Sequence, residues 1–154
     1  MRTVDRIAIH APLARVFEVA ADVERWPEIL PHYRSVRFLE RRDRGGGGTV
    51  EMAAWRPFGP LRYPTRWVSD MTVDRRAGEI RYRHVRGITR GMDVVWRLES
   101  RLESDVVVTI VHEWRGPAWP LVGALAADLV IGPVFIHGIA SRTLAGIKRF
   151  AEGA

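Results

Sequence analysis

At 154 residues and 47% hydrophobic content, the chain can bury one sizeable core and is short for two, so a single domain over residues 1–154 is expected. The 24 basic against 18 acidic residues give a formal charge of +6, but Lys148 is the only lysine and arginine is spread from Arg2 to Arg149. Such spreading speaks against a nucleic-acid partner, which calls for a basic stripe. With no cysteine, disulfides, thiolate nucleophiles and cysteine-ligated zinc are excluded, which is compatible with a reducing cytoplasm.

The first residues hold no apolar run of signal-peptide length, so a cytoplasmic protein is expected. Ile7 and Ile9 stand two apart and predict a first strand over Thr3 to His10. Pro12 suits the first turn of a helix, whose apolar face is Leu13, Val16, Phe17 and Ala20. Asp22 is placed to cap a second, short helical turn, which Pro27 and Pro31 keep from growing. In the stretch RWPEILPHY, residues 25–33, Trp26 is expected to anchor the turn in the core, and His32 to be an exposed loop residue.

Strand patterns then follow one another. Residues 35–42 alternate, the glycines of RDRGGGGT supply a turn, and residues 49–55 return as a strand. Leu61, Tyr63, Thr65, Trp67, Ser69, Met71 and Val73 share one face of the next strand. In AGEIRYRHV, Ile80, Tyr82 and His84 fall on one face, and Glu79, Arg81 and Arg83 on the other. MDVVWRLES and DVVVTIVHEW complete the set, with His112 in phase with Val108, Ile110 and Trp114.

The near-spanning stretch of residues 117–136 carries Asp128 at its middle, where a bilayer would charge about 2.5–3.5 kcal/mol. No transmembrane segment is therefore expected; residues 117–132 read as a lid or as a helix docked over a cavity end. From Pro133, Val134, Ile136, Ile139, Ala140, Leu144, Ile147 and Phe150 recur at helical spacing and predict a long amphipathic C-terminal helix. A sheet of long strands curls, and this helix is the element long enough to cover its concave face.

The order of elements, with APLARVFEVAADVERWPEILPHYRSV, RWVSDM and GMDVVWRLES, resembles the START-like superfamily, and within it the bacterial polyketide aromatase/cyclases. The resemblance implies an α+β helix-grip fold: a curved antiparallel sheet of about seven strands wrapped around a C-terminal helix, with two short helices after the first strand. It further implies a cavity for a hydrophobic, aromatic or polyketide-like molecule, aldol cyclisation and dehydration where the protein is an enzyme, and an acyl carrier protein as partner. Tyr33 matches the family's cavity-mouth tyrosine, and Trp67 and Ser69 match its cavity-strand tryptophan and serine. Arg83 matches one of its arginines, and Met92 and Trp96 match pocket-lining positions. Tyr33 and Arg83 are thus the candidate catalytic residues.

Two features depart from that pattern. Met71 stands where the family has a second arginine, which favours binding over catalysis. The alternation around Arg83 points it to solvent unless a bulge reverses the phase, leaving Tyr82 or His84 as the cavity donor. With Ile110 and His112, these complete the candidate ligand-binding set. His112 reads first as a neutral histidine hydrogen-bonded in the core, and Trp67, Trp96 and Trp114 read equally as core filling. The five histidines show no HxxxH or HExxH spacing, no serine sits in GxSxG, and GGGG lacks a phosphate loop's Lys-Ser/Thr, so no metal or cofactor is expected. A non-catalytic quinone or lipid carrier and a protein-interaction module remain open alternatives.

Overall fold

The computed structural model describes residues 1–58, 60–117 and 133–153. Strand β1 (Arg2–Ile9) leads to helix α1 (Leu13–Ala21), a 3-10 turn and the short helix α2 (Trp26–Ile29). There follow β2 (Tyr33–Arg41), β3 (Gly47–Phe58), β4 (Leu61–Asp74), β5 (Glu79–Arg86), β6 (Asp93–Leu102), β7 (Asp105–Glu113) and helix α3 (Pro133–Ala151). The strands form one antiparallel sheet in the order β1-β7-β6-β5-β4-β3-β2. Consecutive strands from β2 to β7 are neighbours joined by turns, and β1 adds to the far edge, pairing from Arg2 opposite Glu113 to Ile9 opposite Val106.

Helix α3 covers the concave face with Ile136, Ala140, Leu144, Ile147 and Ala151, all buried and recurring at helical spacing. Burying Leu144 and Ile147 stabilises the fold by roughly 1.5–3 kcal/mol each. Gly146 faces the Leu30 side chain so closely that a Cβ there would overlap Leu30 Cδ2, which lets α3 settle against the end of α2. The C-terminal end of α3 is pinned by Lys148 Nζ, which donates to the Ala8 carbonyl at 2.9 Å and pairs with Glu152 at 2.6 Å.

Three details differ from the sequence reading. Asp22 makes no side-chain cap bond; Pro27 lies in the first turn of α2, where its missing N–H is harmless. The alternation of β4 is right in phase, but only its second half is covered: Leu61 and Tyr63 are 69% and 64% exposed, because the outer half of the β3–β4 hairpin runs past the helix. The glycine-rich turn has positive φ at Arg44, Gly45, Gly47 and Gly48. A Cβ at Gly47 or Gly48 would meet the Met71 or Glu40 carbonyl oxygen, so these two glycines also permit close strand approach. No helix among the described residues is long and apolar enough to cross a membrane.

Candidate functional site

The core between sheet and α3 contains a cavity whose wall is built largely of rings. Helix α2 stops at Leu30, which is extended, and the Tyr33 N–H donates to the Leu30 carbonyl at 3.0 Å. The Trp55 N–H donates to the His32 carbonyl at 2.7 Å and ties this turn to β3. The turn drives Tyr33 inward, where it meets Trp26 edge-on at 5.1 Å between ring centroids. Trp26 is tilted on Trp96 at 5.6 Å, while Tyr33 is edge-on to Trp67 at 6.3 Å and Trp67 stacks on His84 at 5.9 Å. A continuous aromatic wall thus runs from β6 through α2 and β2 to β4 and β5, built of edge-on, tilted and stacked contacts. Trp26 is held by its indole N–H on the Val19 carbonyl at 3.3 Å.

Of the residues anticipated from sequence, Tyr33, Trp67, Tyr82, His84, Met92, Trp96, Ile110 and His112 line this cavity. Ser69 and Met71 lie on the same inner face of β4, opposite His84 and Tyr82, but are fully buried within the packed core and do not reach the cavity. Arg83 is on the opposite face, exposed, with its guanidinium 2.8 Å from Asp93. A bulge is present, yet it does not rescue Arg83. Val68 pairs with Arg86 and Ser69 with His84, so the unmatched residue is Val85, after both Arg83 and His84. Trp114 belongs to the core, its indole N–H donating to the Arg90 carbonyl at 3.0 Å.

His32 is not the exposed loop residue expected: it is half-buried, with Nε2 2.9 Å from Thr143 Oγ1. Met52, Thr89, Phe135 and Thr143 also line the cavity and were not anticipated. Thr143 is in phase with Ile136 and Ala140 on α3, so helical spacing could have found it. Thr89 lies in the β5–β6 turn, where no period operates. Residues 118–132, on which the lid reading rests, lie outside the described residues.

The polar groups of the cavity are few, and two of them have no partner. Among the described residues, the Tyr82 hydroxyl and His112 Nδ1 are buried with no hydrogen-bond partner, as is the Ser69 hydroxyl nearby. His84 Nδ1 lies 2.7 Å from Thr89 Oγ1. Burial lowers the His84 pKa to about 4, and burial with the neighbouring His84 lowers His112 to about 3, so both rings are neutral near pH 7. Burial raises Tyr33 well above the ordinary phenol value, against a hydrogen bond to Thr143, and raises Tyr82 likewise, with Tyr33 nearby adding to it. Both phenols therefore keep their protons and can donate. The free volume is about 80 Å³, below the 300–1,000 Å³ usual for small-molecule sites, so a guest larger than a small ring must displace lining side chains. Met52 and Met92, unbranched and adaptable, are suited to yield. No group of three or more metal-ligating side chains occurs among the described residues.

The sequence profile of the family described as "Polyketide cyclase / dehydrase and lipid transport" matches residues 9–130. A Streptomyces cyaneus protein named "Putative polyketide cyclase" is 33% identical over 99 residues, 64% of this chain; the chain spans 62% of that relative's length. The crystal structure of the Zhui aromatase/cyclase from Streptomyces sp. R1128 superposes with a TM-score of 0.81 at 20% identity, covering 99% of this chain and 93% of that one. A START superfamily protein from Mycobacterium smegmatis gives 0.69 at 11% identity, over 99% and 94% of the two chains. At such identities these two likenesses establish the helix-grip fold alone.

Proposed function

Because the chain belongs to the polyketide cyclase/dehydrase and lipid-transport family, we propose that it binds a hydrophobic, aromatic or polyketide-like carbonyl compound in the cavity beneath α3. The observation that carries this reading is the Tyr82 hydroxyl, buried without a partner in an aromatic-walled cavity. An unsatisfied buried donor costs on the order of 1–3 kcal/mol, and a guest carbonyl that accepts its proton removes that cost. The rings of Trp26, Tyr33, Trp67 and Trp96 supply apolar contact, and the donor fixes orientation.

The same arrangement suits aldol ring closure. A ketone whose oxygen gains negative charge as an enol carbon attacks is stabilised by phenol donors held in place beforehand, here Tyr82 with Tyr33 beside it. The enol gives up its O–H proton as its carbon bonds to the ketone carbon, and the new alkoxide takes one up to become a hydroxyl; dehydration then breaks that C–O bond and a neighbouring C–H bond, forming a C=C bond and water. Arg83 has no part in this step, since it faces away from the cavity. The histidines, lowered to about 4 and about 3, are weak bases, which makes the cavity better at holding and polarising a ketone than at removing a carbon-bound proton. That observation favours a second reading, a carrier of a quinone or lipid that performs no chemistry. On the cyclase reading an acyl carrier protein delivers the chain.

Incubation with a carrier-bound linear polyketide, read by mass spectrometry, separates the two. A cyclised product that falls in Tyr82→Phe supports the enzyme; stoichiometric binding with no product leaves the carrier; neither binding nor product removes both.

A further inference from the structure

A second cleft, about 500 Å³ and open to solvent, lies outside the cavity, bounded by Pro31 and His32, the outer half of the β3–β4 hairpin, and α3. Arg62, Arg142 and Arg149 line it. Arg142, Ala145 and Arg149 are three and four residues apart and so share one face of α3, with the small Ala145 leaving room between the two guanidiniums. Trp55, on β3, forms another wall, and arginines from both neighbouring strands lie over its ring: Arg34 of β2 at 4.7 Å and Arg62 of β4 at 5.1 Å from its centroid. These cation–π contacts hold the two guanidinium planes while leaving their N–H groups available.

The charge of the cleft is uncompensated. Among the described residues no carboxylate lines it, and none of Arg34, Arg62, Arg142 and Arg149 has an ion pair, although Arg2, Arg25, Arg37, Arg41, Arg81, Arg83 and Arg97 each have one. Like charges gathered from two strands and a helix repel, and the effect is felt at His32, whose pKa falls to about 4 through burial and the nearby Arg142.

We propose that this cleft binds a phosphate monoester, its dianion held by the guanidiniums of Arg62, Arg142 and Arg149, with Arg34 adding positive charge from over Trp55. Guanidinium forks match phosphate oxygens two at a time, and a dianion neutralises several converging arginines where a single carboxylate would not. The volume exceeds that of phosphate itself and leaves room for the group that carries it, whether a soluble molecule or a lipid. The proposal goes beyond the cavity reading and does not depend on it: the His32–Thr143 contact stands between the two sites.

The test is calorimetric titration with glycerol 3-phosphate, alongside co-sedimentation with phosphatidylcholine vesicles made with and without phosphatidic acid. Imidazole resonances of His32, followed by NMR, locate the binding. The expected result is binding to one or both phosphate probes, a shift at His32, and a loss of about tenfold or more in affinity in Arg62→Gln and in Arg142→Gln. A glycerol 3-phosphate response identifies a soluble ester as a source, and a response only to phosphatidic acid vesicles identifies a headgroup. Arg83→Gln and Arg97→Gln, on the outer sheet face, serve as controls for general basic attraction. The proposal is overturned if neither probe binds, if the Arg62 and Arg142 variants bind as the parent does, or if the control variants weaken binding equally. Binding of 2-acetylnaphthalene in the cavity, followed by tryptophan fluorescence, should be unchanged in Arg62→Gln, so the cleft and the cavity readings fail separately.

Discussion

The Trp67 indole stacks on the His84 imidazole, 5.9 Å apart with 14° between the ring planes, although the two residues are not register partners. His84 lies opposite Ser69, and the unmatched Val85 displaces the strand beyond it, so that Trp67 comes over the ring diagonally. The stack closes one end of the aromatic wall, where burial keeps His84 neutral and its Nδ1 lies 2.7 Å from Thr89 Oγ1. The consequences of this wall, and of the polar groups set into it, can be measured.

Tyr82→Phe removes a buried hydroxyl that has no partner. Thermal or urea unfolding should show unchanged or slightly higher stability, since no internal hydrogen bond is lost. Affinity for an aromatic ketone should fall by about 1–1.5 kcal/mol, roughly five- to tenfold, while affinity for the corresponding hydrocarbon stays the same. A substantial loss of stability would show that the hydroxyl is already satisfied inside the fold.

Arg83→Ala should leave ligand affinity and any cyclisation rate unaltered. The side chain is exposed on the outer face and pairs only with the half-exposed Asp93. A surface pair of this kind contributes about 0–1 kcal/mol to stability. A fall of more than tenfold in either functional quantity would require Arg83 to reach the cavity after all.

Gly146→Ala should destabilise the protein, because its Cβ would overlap Cδ2 of the fully buried Leu30; an overpacking cost of about 1–3 kcal/mol is offset in part by alanine's helix propensity, about 1 kcal/mol. The cost should be smaller when Leu30→Ala is present as well, so that the two substitutions are not additive in urea unfolding. Additivity would mean that α3 and the end of α2 are not in contact.

Stability should depend on pH through the buried histidines. His32, His84 and His112 have folded pKa values lowered to about 4, about 4 and about 3, from an ordinary 6.5. The folded state therefore binds fewer protons than the unfolded chain between these values. Stability is full above about pH 6.5 and declines as the pH falls from there through the folded values. Urea midpoints measured from pH 7.5 to 4 should show this decline, and His112→Gln should make it shallower. A midpoint that stays level across the range would mean these rings are hydrated.

Much of this architecture is legible in sequence because periodicity reports burial. The spacing of Ile136, Ala140, Leu144 and Ile147 predicts α3, and the alternation of Ile80, Tyr82 and His84 correctly turns Arg83 outward. Periodicity does not report how far a neighbouring element extends, so Leu61 and Tyr63 look like core and are exposed. Nor does it separate a residue that touches a cavity from one packed beneath the wall, as with Ser69 and Met71. Contacts between residues far apart in sequence are silent as well: His32 reads as a loop residue because Thr143, its partner, is 111 positions away.

On the proposed function, Tyr82 donates a hydrogen bond to the carbonyl of a hydrophobic guest in the ring-walled cavity. Isotope-edited infrared spectroscopy of bound 2-acetylnaphthalene, labelled with carbon-13 at the carbonyl, tests it most directly. The carbonyl stretch in the parent protein should be lower than in an alkane solvent, and should return toward the alkane frequency in Tyr82→Phe. An alkane-like frequency in the parent, or a lowered one that persists in Tyr82→Phe, would contradict it.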